Sequence, residues 1–483
     1  MKALFVAAEA VPFVKTGGLG DVIGSLPKAL QSSAVDICIV LPKYKSISQQ
    51  YKSAMVAIKS ISISMGGRER DFVVEQLNYR GSNYFFIGND ELFGRNDIYG
   101  YPDDAERYGF FCRAVLETLP HLDFKPDIIH CHDWHTGMIS VFLDSHYKDS
   151  AFYRDMATIF TIHNLRYQGV FPKDTLALLD LNEQYFTIDG IEFYNQINFM
   201  KGGLNFSDII TTVSDTYAKE ILTPYFGENL EGLLNRRRGD LYGIVNGIDY
   251  VEYNPVKDNL IYTKYHKNAL VKRSDNKLKL QAELNLPVTR DLPLVAIVSR
   301  LVAQKGMDLV AHVMEEILSL DLQLVILGTG DKRYADMFTK AAARYPEKVS
   351  ANILFDNTLA HKIYAGADML LMPSLFEPCG LSQLIALRYG CIPIVREVGG
   401  LKDTITAYNE ITQQGNGFSF TNYNAHDMLH TIQRALKYQQ RPAIWKRIIK
   451  NAMNCDYSWQ RSADKYKRLY EMLLTRKEQD SLQ

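Results

Sequence analysis

The sequence predicts an α/β protein with two doubly wound parallel sheets, one in each half of the chain. Three observations predict it. At 483 residues the chain is too long for one hydrophobic core, so two or three domains are expected. In the first half, short apolar runs alternate with longer segments of helical spacing. After Asp249 the alternation fades, and near Pro293 it restarts with residues 294–299, an unbroken apolar run of the kind a parallel sheet buries on both faces. Residues 1–245 are read as the N-terminal domain and 246–456 as the C-terminal one. Residues 457–483 read as an amphipathic helix through Tyr466, Leu469, Tyr470 and Leu473; it could cap either domain and is placed back on the N-terminal one.

Residues 3–8 read as the first strand, and Val22, Ile23, Leu26 and Leu30 follow at helical spacing. Between them lies Lys15-Thr16-Gly17-Gly18-Leu19-Gly20-Asp21, a glycine-rich turn into a helix N-terminus. Its glycines let backbone N–H groups approach an anion, the helix dipole adds partial positive charge, and Lys15 adds a full one. Further strands are expected at 35–41, 84–87, 127–131, 157–162, 209–213 and 241–245, with a helix at 104–119 and Ser214 as an N-cap. Two strands end in polar groups, His132-Asp133-Trp134-His135 and His163-Asn164. A third ends in the turn Asn246-Gly247-Ile248-Asp249.

In the second half, helix 307–318 follows the restart, then strand 323–327 and a helix at 334–343. Strand-helix pairs are expected at 353–355 with 359–365 and at 369–372 with 381–389. Strand 392–395 precedes Gly399-Gly400. Ligands of open α/β sheets bind beyond the carboxyl ends of strands, so two sheets facing across a cleft would share one site.

Composition excludes several classes. Hydrophobic residues make up 47% and charged residues 23%, with a formal net charge of −1, which leaves no polyanion-binding surface for nucleic acid. Arg236-Arg237-Arg238 is the only dense basic run and reads as a solvated loop. No 18-residue apolar segment spans a membrane, and the short apolar start is read as a strand rather than a signal peptide. Six scattered cysteines without a CxxC pair read as reduced thiols of a cytoplasmic protein.

The chemistry-bearing residues stand at expected strand ends. Ser299-Arg300-Leu301-Val302-Ala303-Gln304-Lys305-Gly306 repeats the opening theme of strand, cationic loop and helix, and Arg300 with Lys305 suits a diphosphate. In Pro373-Ser374-Leu375-Phe376-Glu377-Pro378-Cys379-Gly380-Leu381 a buried strand ends in a carboxylate before a helix N-terminus. The helix can hold phosphate while Glu377 accepts sugar hydroxyls. His130 and His132 share a strand face with Asp133 nearby, yet no separated second ligand pair has metal-like spacing. Polar lining of a sugar pocket is the preferred reading.

Taken in order, residues 15–21, 132–135, 160–164, 246–249, 299–306 and 377–381 resemble the bacterial glycogen synthase and plant starch synthase family, across essentially the whole chain. The resemblance implies the GT-B fold, with two Rossmann-like domains. It also implies retaining transfer of glucose from ADP-glucose to the non-reducing 4-OH of an α-1,4-glucan. By motif, Lys15 and the Gly17-Gly18 backbone would hold the donor's phosphates or sugar, and Arg300 and Lys305 would neutralise the leaving diphosphate. Glu377 with the Cys379-Gly380-Leu381 backbone would bind glucose hydroxyls, His163 would lie under the anomeric carbon, and Asn246 near the 6-OH. Phe355 stands where bacterial members place a tyrosine, and its ring could stack on adenine. Lys15, His163, Arg300, Lys305 and Glu377 are the catalytic candidates; Asp21, Asp133 and His135 are acceptor-side candidates, and residues 99–104 a candidate acceptor loop. The second glutamate of broader GT-B families, eight residues after the first, is Ile385 here; the glycogen synthase family also tends to lack that glutamate.

A nucleotide leaving group makes a general acid unnecessary, and Lys15, Arg300 and Lys305 would do the electrostatic work of a divalent metal, so metal is dispensable and no cofactor is expected. Front-face attack on a short-lived ion pair is preferred, with double displacement through Glu377 the rival. Domain closure should precede chemistry, because the donor cations come from both halves. The alternatives are a related GT-B glucosyltransferase using UDP-glucose or another acceptor, and a non-catalytic glucan-binding protein. A nicotinamide dehydrogenase is disfavoured because Gly17-Gly18-x-Gly20 lacks the G-x-G-x-x-G spacing.

Overall fold

The apolar run after Met1 forms strand Lys2–Val6, buried from Ala3 onward. It is a central strand. Asp36–Pro42 pairs with it on one side, Lys2 opposite Asp36, and Ile128–His132 on the other, Ala3 opposite Ile128; both pairings are parallel. A strand covered on both faces and both edges has no solvent side, which is why its sequence does not alternate. The computed structural model describes residues 1–481. The chain divides into two units, Met1–Ile244 with Trp459–Gln483, and Val245–Ser458.

In the first unit nine strands lie side by side: Leu241–Gly243, Ile209–Thr212, Ala157–Ile162, Ile128–His132, Lys2–Val6, Asp36–Pro42, Ser82–Gly88, Arg68–Tyr79 and Val56–Met65. The first seven run parallel and the last two form an antiparallel ribbon. The sequence reading has no element in that ribbon. Its strands are half-buried at a sheet edge, so Ile63, Phe72 and Val74 are diluted among solvent-facing residues and never form an apolar run. Ser214 caps helix Asp215–Glu220 as expected, its Oγ accepting Tyr217 N–H at 2.9 Å.

Helix Trp459–Ser481 belongs to this first unit. Trp459, Ala463, Tyr466, Leu469, Tyr470 and Leu473 recur every three or four residues and are all buried in its core. Burying side chains of this size contributes on the order of 10 kcal/mol before conformational entropy is subtracted.

The second unit is a fully parallel six-stranded sheet in the order Val349–Asn352, Gln323–Leu327, Leu294–Val298, Met369–Met372, Ile392–Arg396, Phe418–Phe420. Two local expectations are corrected and one element is added. The edge strand is Val349–Asn352, not 353–355: Leu354 and Phe355 are exposed in the following loop, where an apolar run mimicked a strand. The helix expected over 307–318 is two, Met307–His312 and Met314–Ser319, interrupted at Val313. The stretch where alternation faded holds helix Leu270–Glu283, whose buried face includes Arg273 and Lys277. Lys277 pairs with Asp368 at 2.7 Å, so charged residues face inward there and hide the helical period. Among the described residues no helix is long and apolar enough to cross a membrane.

Candidate active site

Strand order decides where a ligand can sit. In the first unit the order reverses at Lys2–Val6 and Ile128–His132, and in the second at Leu294–Val298 and Met369–Met372. Loops leaving the carboxyl ends of such neighbours diverge to opposite faces and leave a crevice. The four loops at these points carry Lys15, Asp133, Lys305 and Glu377.

In the first unit the glycine-rich turn is organised by Glu9, three residues beyond the first strand and buried. Its Oε2 accepts the N–H of Thr16 at 2.5 Å and of Gly17 at 3.2 Å, and its Oε1 accepts Thr16 Oγ1 at 2.6 Å. Tyr99, the first residue of the candidate acceptor loop, donates its hydroxyl to Glu9 Oε1 at 2.6 Å. The Gly17 N–H, expected to meet a ligand, is thus already held by a carboxylate, while the helix starts at Gly18 without a side-chain cap. Lys15 Nζ donates to Asp21 Oδ1 at 2.7 Å. Burial pushes the Asp21 carboxyl up, and the Lys15 charge opposes that shift. Asp21 is therefore the counter-ion of Lys15.

Sheet periodicity brings His130 and His132 to one face, where their rings stack at 4.2 Å beside Phe5 of the neighbouring strand. His130 lies 2.7 Å from the Tyr470 hydroxyl through Nδ1 and 2.6 Å from Thr161 Oγ1 through Nε2, tying the terminal helix to the central strands. His132 Nδ1 lies 3.0 Å from His163 Nε2. Burial pushes His130 and His163 down to about 3 and His132 well below its ordinary value, so all three are neutral at pH 7. Asp133 has φ of 59°, a backbone conformation few non-glycine residues adopt, and its Oδ1 accepts the His163 N–H at 2.8 Å. Burial raises its carboxyl to about 7, against the backbone N–H groups of His163 and Asn164. His135 is buried, stacks on Tyr99 at 4.5 Å, and has an Nδ1 without a partner. Among the described residues no group of three or more His, Cys, Asp or Glu is placed to hold a metal ion.

In the second unit Lys305 Nζ donates to Glu377 Oε2 at 2.5 Å, and Ser374 Oγ donates to the same oxygen at 3.2 Å. The two loops are also joined by backbone, Leu375 N–H donating to Gln304 O at 2.9 Å. Gly306 must be glycine: its φ is 75° and a Cβ would collide with the Pro373 carbonyl. Gly400 N–H donates to the Glu377 carbonyl at 3.1 Å, so the Gly399-Gly400 turn supports Glu377 from below. Arg300 is exposed and makes no ion pair among the described residues. Asn246 is buried, and its Oδ1 has no hydrogen-bond partner among the described residues. Burial pushes the Cys379 thiol up to about 12, so only its backbone is available for chemistry. Phe355 is 84% exposed, a ring face open to a flat ligand. Gly380 takes φ of 76° just before the helix Ser382–Tyr389.

The candidates thus fall into two groups. Lys15, Gly17, Gly18, Asp21, Asp133, His135 and His163 belong to the first unit; Asn246, Arg300, Lys305, Phe355, Glu377, Cys379, Gly380 and Leu381 belong to the second. Glu9, Ser374 and Gly399-Gly400 carry no role in the sequence reading, and His132 only that of polar lining. A carboxylate just past a fully apolar strand was the signal available for Glu9.

Residues 2–236 match the family model described as starch synthase catalytic domain, and residues 282–453 that of glycosyl transferases group 1. A glycogen synthase of Desulforamulus reducens is 55% identical over 475 residues, 98% of this chain and 99% of the relative. The chain belongs to the glycogen synthase family. A second member, from Geobacillus stearothermophilus, is 53% identical over 479 residues, 99% of both chains. Among solved structures, the catalytic domain of starch synthase IV from Arabidopsis thaliana, bound to ADP and acarbose, superposes with a TM-score of 0.91 at 33% identity, covering 98% of this chain and 99% of that one. As a glycogen synthase family member the protein is a glycosyltransferase, and its fold is GT-B.

Proposed function

We propose that the protein moves glucose from ADP-glucose to the non-reducing 4-OH of an α-1,4-glucan, with retention at the anomeric carbon. The Lys305–Glu377 pair carries this reading. Glu377 is buried, and inside the unit one of its carboxylate oxygens accepts from both the Lys305 ammonium and the Ser374 hydroxyl. A carboxylate so held accepts sugar hydroxyls well through its remaining lone pairs but is a poor nucleophile. That favours front-face attack on a short-lived ion pair over a glucosyl ester on Glu377.

In this reading Lys305 and Arg300 stabilise the departing diphosphate, as Lys15 does from the glycine-rich turn. Phe355 stacks on the adenine, and the Asn246 amide takes the 6-OH. His163 meets the transferred sugar, while Asp21, Asp133 and His135 serve the acceptor side. The cations supply the charge a divalent metal would otherwise provide, so turnover is metal-independent and no cofactor is needed. None of the six cysteines is in a disulfide, which suits a reducing cytoplasm.

Incorporation of labelled glucose into glycogen tests the reading, with ADP-glucose and UDP-glucose compared as donors, each with and without chelator. Transfer from ADP-glucose that persists in chelator is expected. Preference for UDP-glucose would move the assignment to a related glucosyltransferase, and absence of nucleoside diphosphate release with either donor would point to a glucan-binding protein. Isolation of a glucosyl ester on Glu377 would overturn the front-face route.

A further inference from the structure

His132 has no role in the transfer as assigned, yet its surroundings constrain it tightly. It sits at the carboxyl end of strand Ile128–His132, its ring between Phe5 and His130 at 5.1 and 4.2 Å. Its Nδ1 faces His163 Nε2 at 3.0 Å, and its Nε2 is buried with no hydrogen-bond partner. Between two neutral imidazoles that contact holds one proton, so one ring donates and the other accepts.

The orphaned Nε2 decides which. Were the His132 proton on Nε2, a buried N–H would be left without an acceptor, and such orphaned donors are the rarer and more costly kind. With the proton on Nδ1, His132 donates to His163 Nε2 and only a lone pair is left unmatched. His163 then carries its own proton on Nδ1. Its backbone is fixed independently, because Asp133 Oδ1 accepts its N–H.

We propose that His132 is a positioning residue for the transfer: by donating from Nδ1 to His163 Nε2 it locks His163 as the Nδ1-protonated tautomer, which presents an N–H donor to a hydroxyl of the transferred sugar. The proposal rests on the placement of His163 at that sugar. Burial, which holds both rings neutral, keeps this a hydrogen-bonding role and not an ionic one. Loss of His132 frees the His163 ring to rotate or to exchange tautomers, after which part of the population presents a lone pair where the N–H donor stood.

The test combines ring-nitrogen NMR of the full chain, with ¹⁵N-labelled histidine and His163 assigned by difference against His163→Asn, and kinetics of two variants. His132→Asn keeps an amide N–H where Nδ1 stands; His132→Leu removes it at similar volume. The wild-type His163 signal should show a protonated Nδ1 and an unprotonated Nε2. His132→Leu should mix the tautomers and lower kcat by roughly 10- to 100-fold, with KM for ADP-glucose within about threefold, and His132→Asn should restore most of both. A wild-type His163 protonated on Nε2 overturns the proposal, and because it needs only wild-type protein it does so even if a variant fails to fold. A folded His132→Leu with unchanged kcat overturns it too. The predicted tautomer in a protein that transfers no glucose would instead overturn the assigned transfer, and with it the catalytic half of this proposal.

Discussion

Lys305 Nζ and Glu377 Oε2 lie 2.5 Å apart, joining two loops that leave neighbouring strands at the point where the second sheet reverses its order. The pair is nearly closed to water, with side-chain exposures of 17% and 7%. One contact therefore serves two ends. It fixes a carboxylate where the proposed transfer needs an acceptor for sugar hydroxyls, and it holds a cation where that proposal places the leaving diphosphate.

Lys305→Ala should consequently harm both stability and turnover, and the two effects can be separated. Removing one partner of a buried pair leaves an uncompensated charge, costing about 3–5 kcal/mol. Adding Glu377→Gln removes that charge and should recover most of the loss in a thermal melt. Turnover should stay down on the order of 10²-fold or more in the double variant, because both the Lys305 cation and the Glu377 carboxylate of the proposed site are missing. Near-normal turnover in the folded double variant would refute the charge role.

Glu9 orders the glycine-rich turn, so Glu9→Ala should release the Thr16 and Gly17 N–H groups and the Tyr99 hydroxyl together. Each freed group that stays buried costs about 1–3 kcal/mol. Faster proteolytic cutting within residues 14–19 and a loss of roughly tenfold or more in kcat/KM are expected. Glu9→Gln keeps one acceptor oxygen and should fall between. Wild-type proteolysis in Glu9→Ala would mean the turn is ordered by other contacts.

Much of this architecture was legible in the residues. Fully buried parallel strands such as 157–162 and 323–327 announce themselves as short, mostly apolar segments rich in β-branched residues, and their ends coincide with the structure. What escaped did so for physical reasons. The ribbon Val56–Met65 and Arg68–Tyr79 is half solvated, so its pattern is weak, and helix Leu270–Glu283 buries cations paired through space with Asp368. For the site, motif order pointed to Lys15, Lys305 and Glu377. Their partners were hidden, since the Glu9 contacts with Thr16 and Tyr99 depend on how a loop folds back, which no local spacing encodes.

Asp133 offers a pH test with a defined sign. Its carboxyl ionises near 3.8 in an unfolded chain and near 7 in the folded one, because burial disfavours the charge. Between those values the folded state binds more protons, so this group contributes less stability as pH rises, by up to about 4 kcal/mol once pH passes 7. Asp133→Asn keeps an oxygen to accept the His163 N–H but cannot ionise. Its melting temperature relative to wild type should therefore climb from pH 5 to pH 8 and then level. A difference flat across that range would show that Asp133 titrates as an ordinary carboxylate.

Two glycines separate a folding requirement from a ligand requirement. Gly399 has φ of 45°, and a Cβ there would collide with the Glu377 carbonyl that the next N–H supports. Gly399→Ala should lose stability by a few kcal/mol and displace Glu377, lowering the melting temperature and turnover together. At Gly17 the backbone is extended, and an added Cβ would meet nothing within 4 Å. Gly17→Ala should thus melt within about 0.5 kcal/mol of wild type. If the turn needs bare backbone for a phosphate or sugar to approach, the same variant should raise KM for ADP-glucose severalfold. An unchanged KM would remove Gly17 from the donor site and leave the turn's role to Lys15 and Glu9.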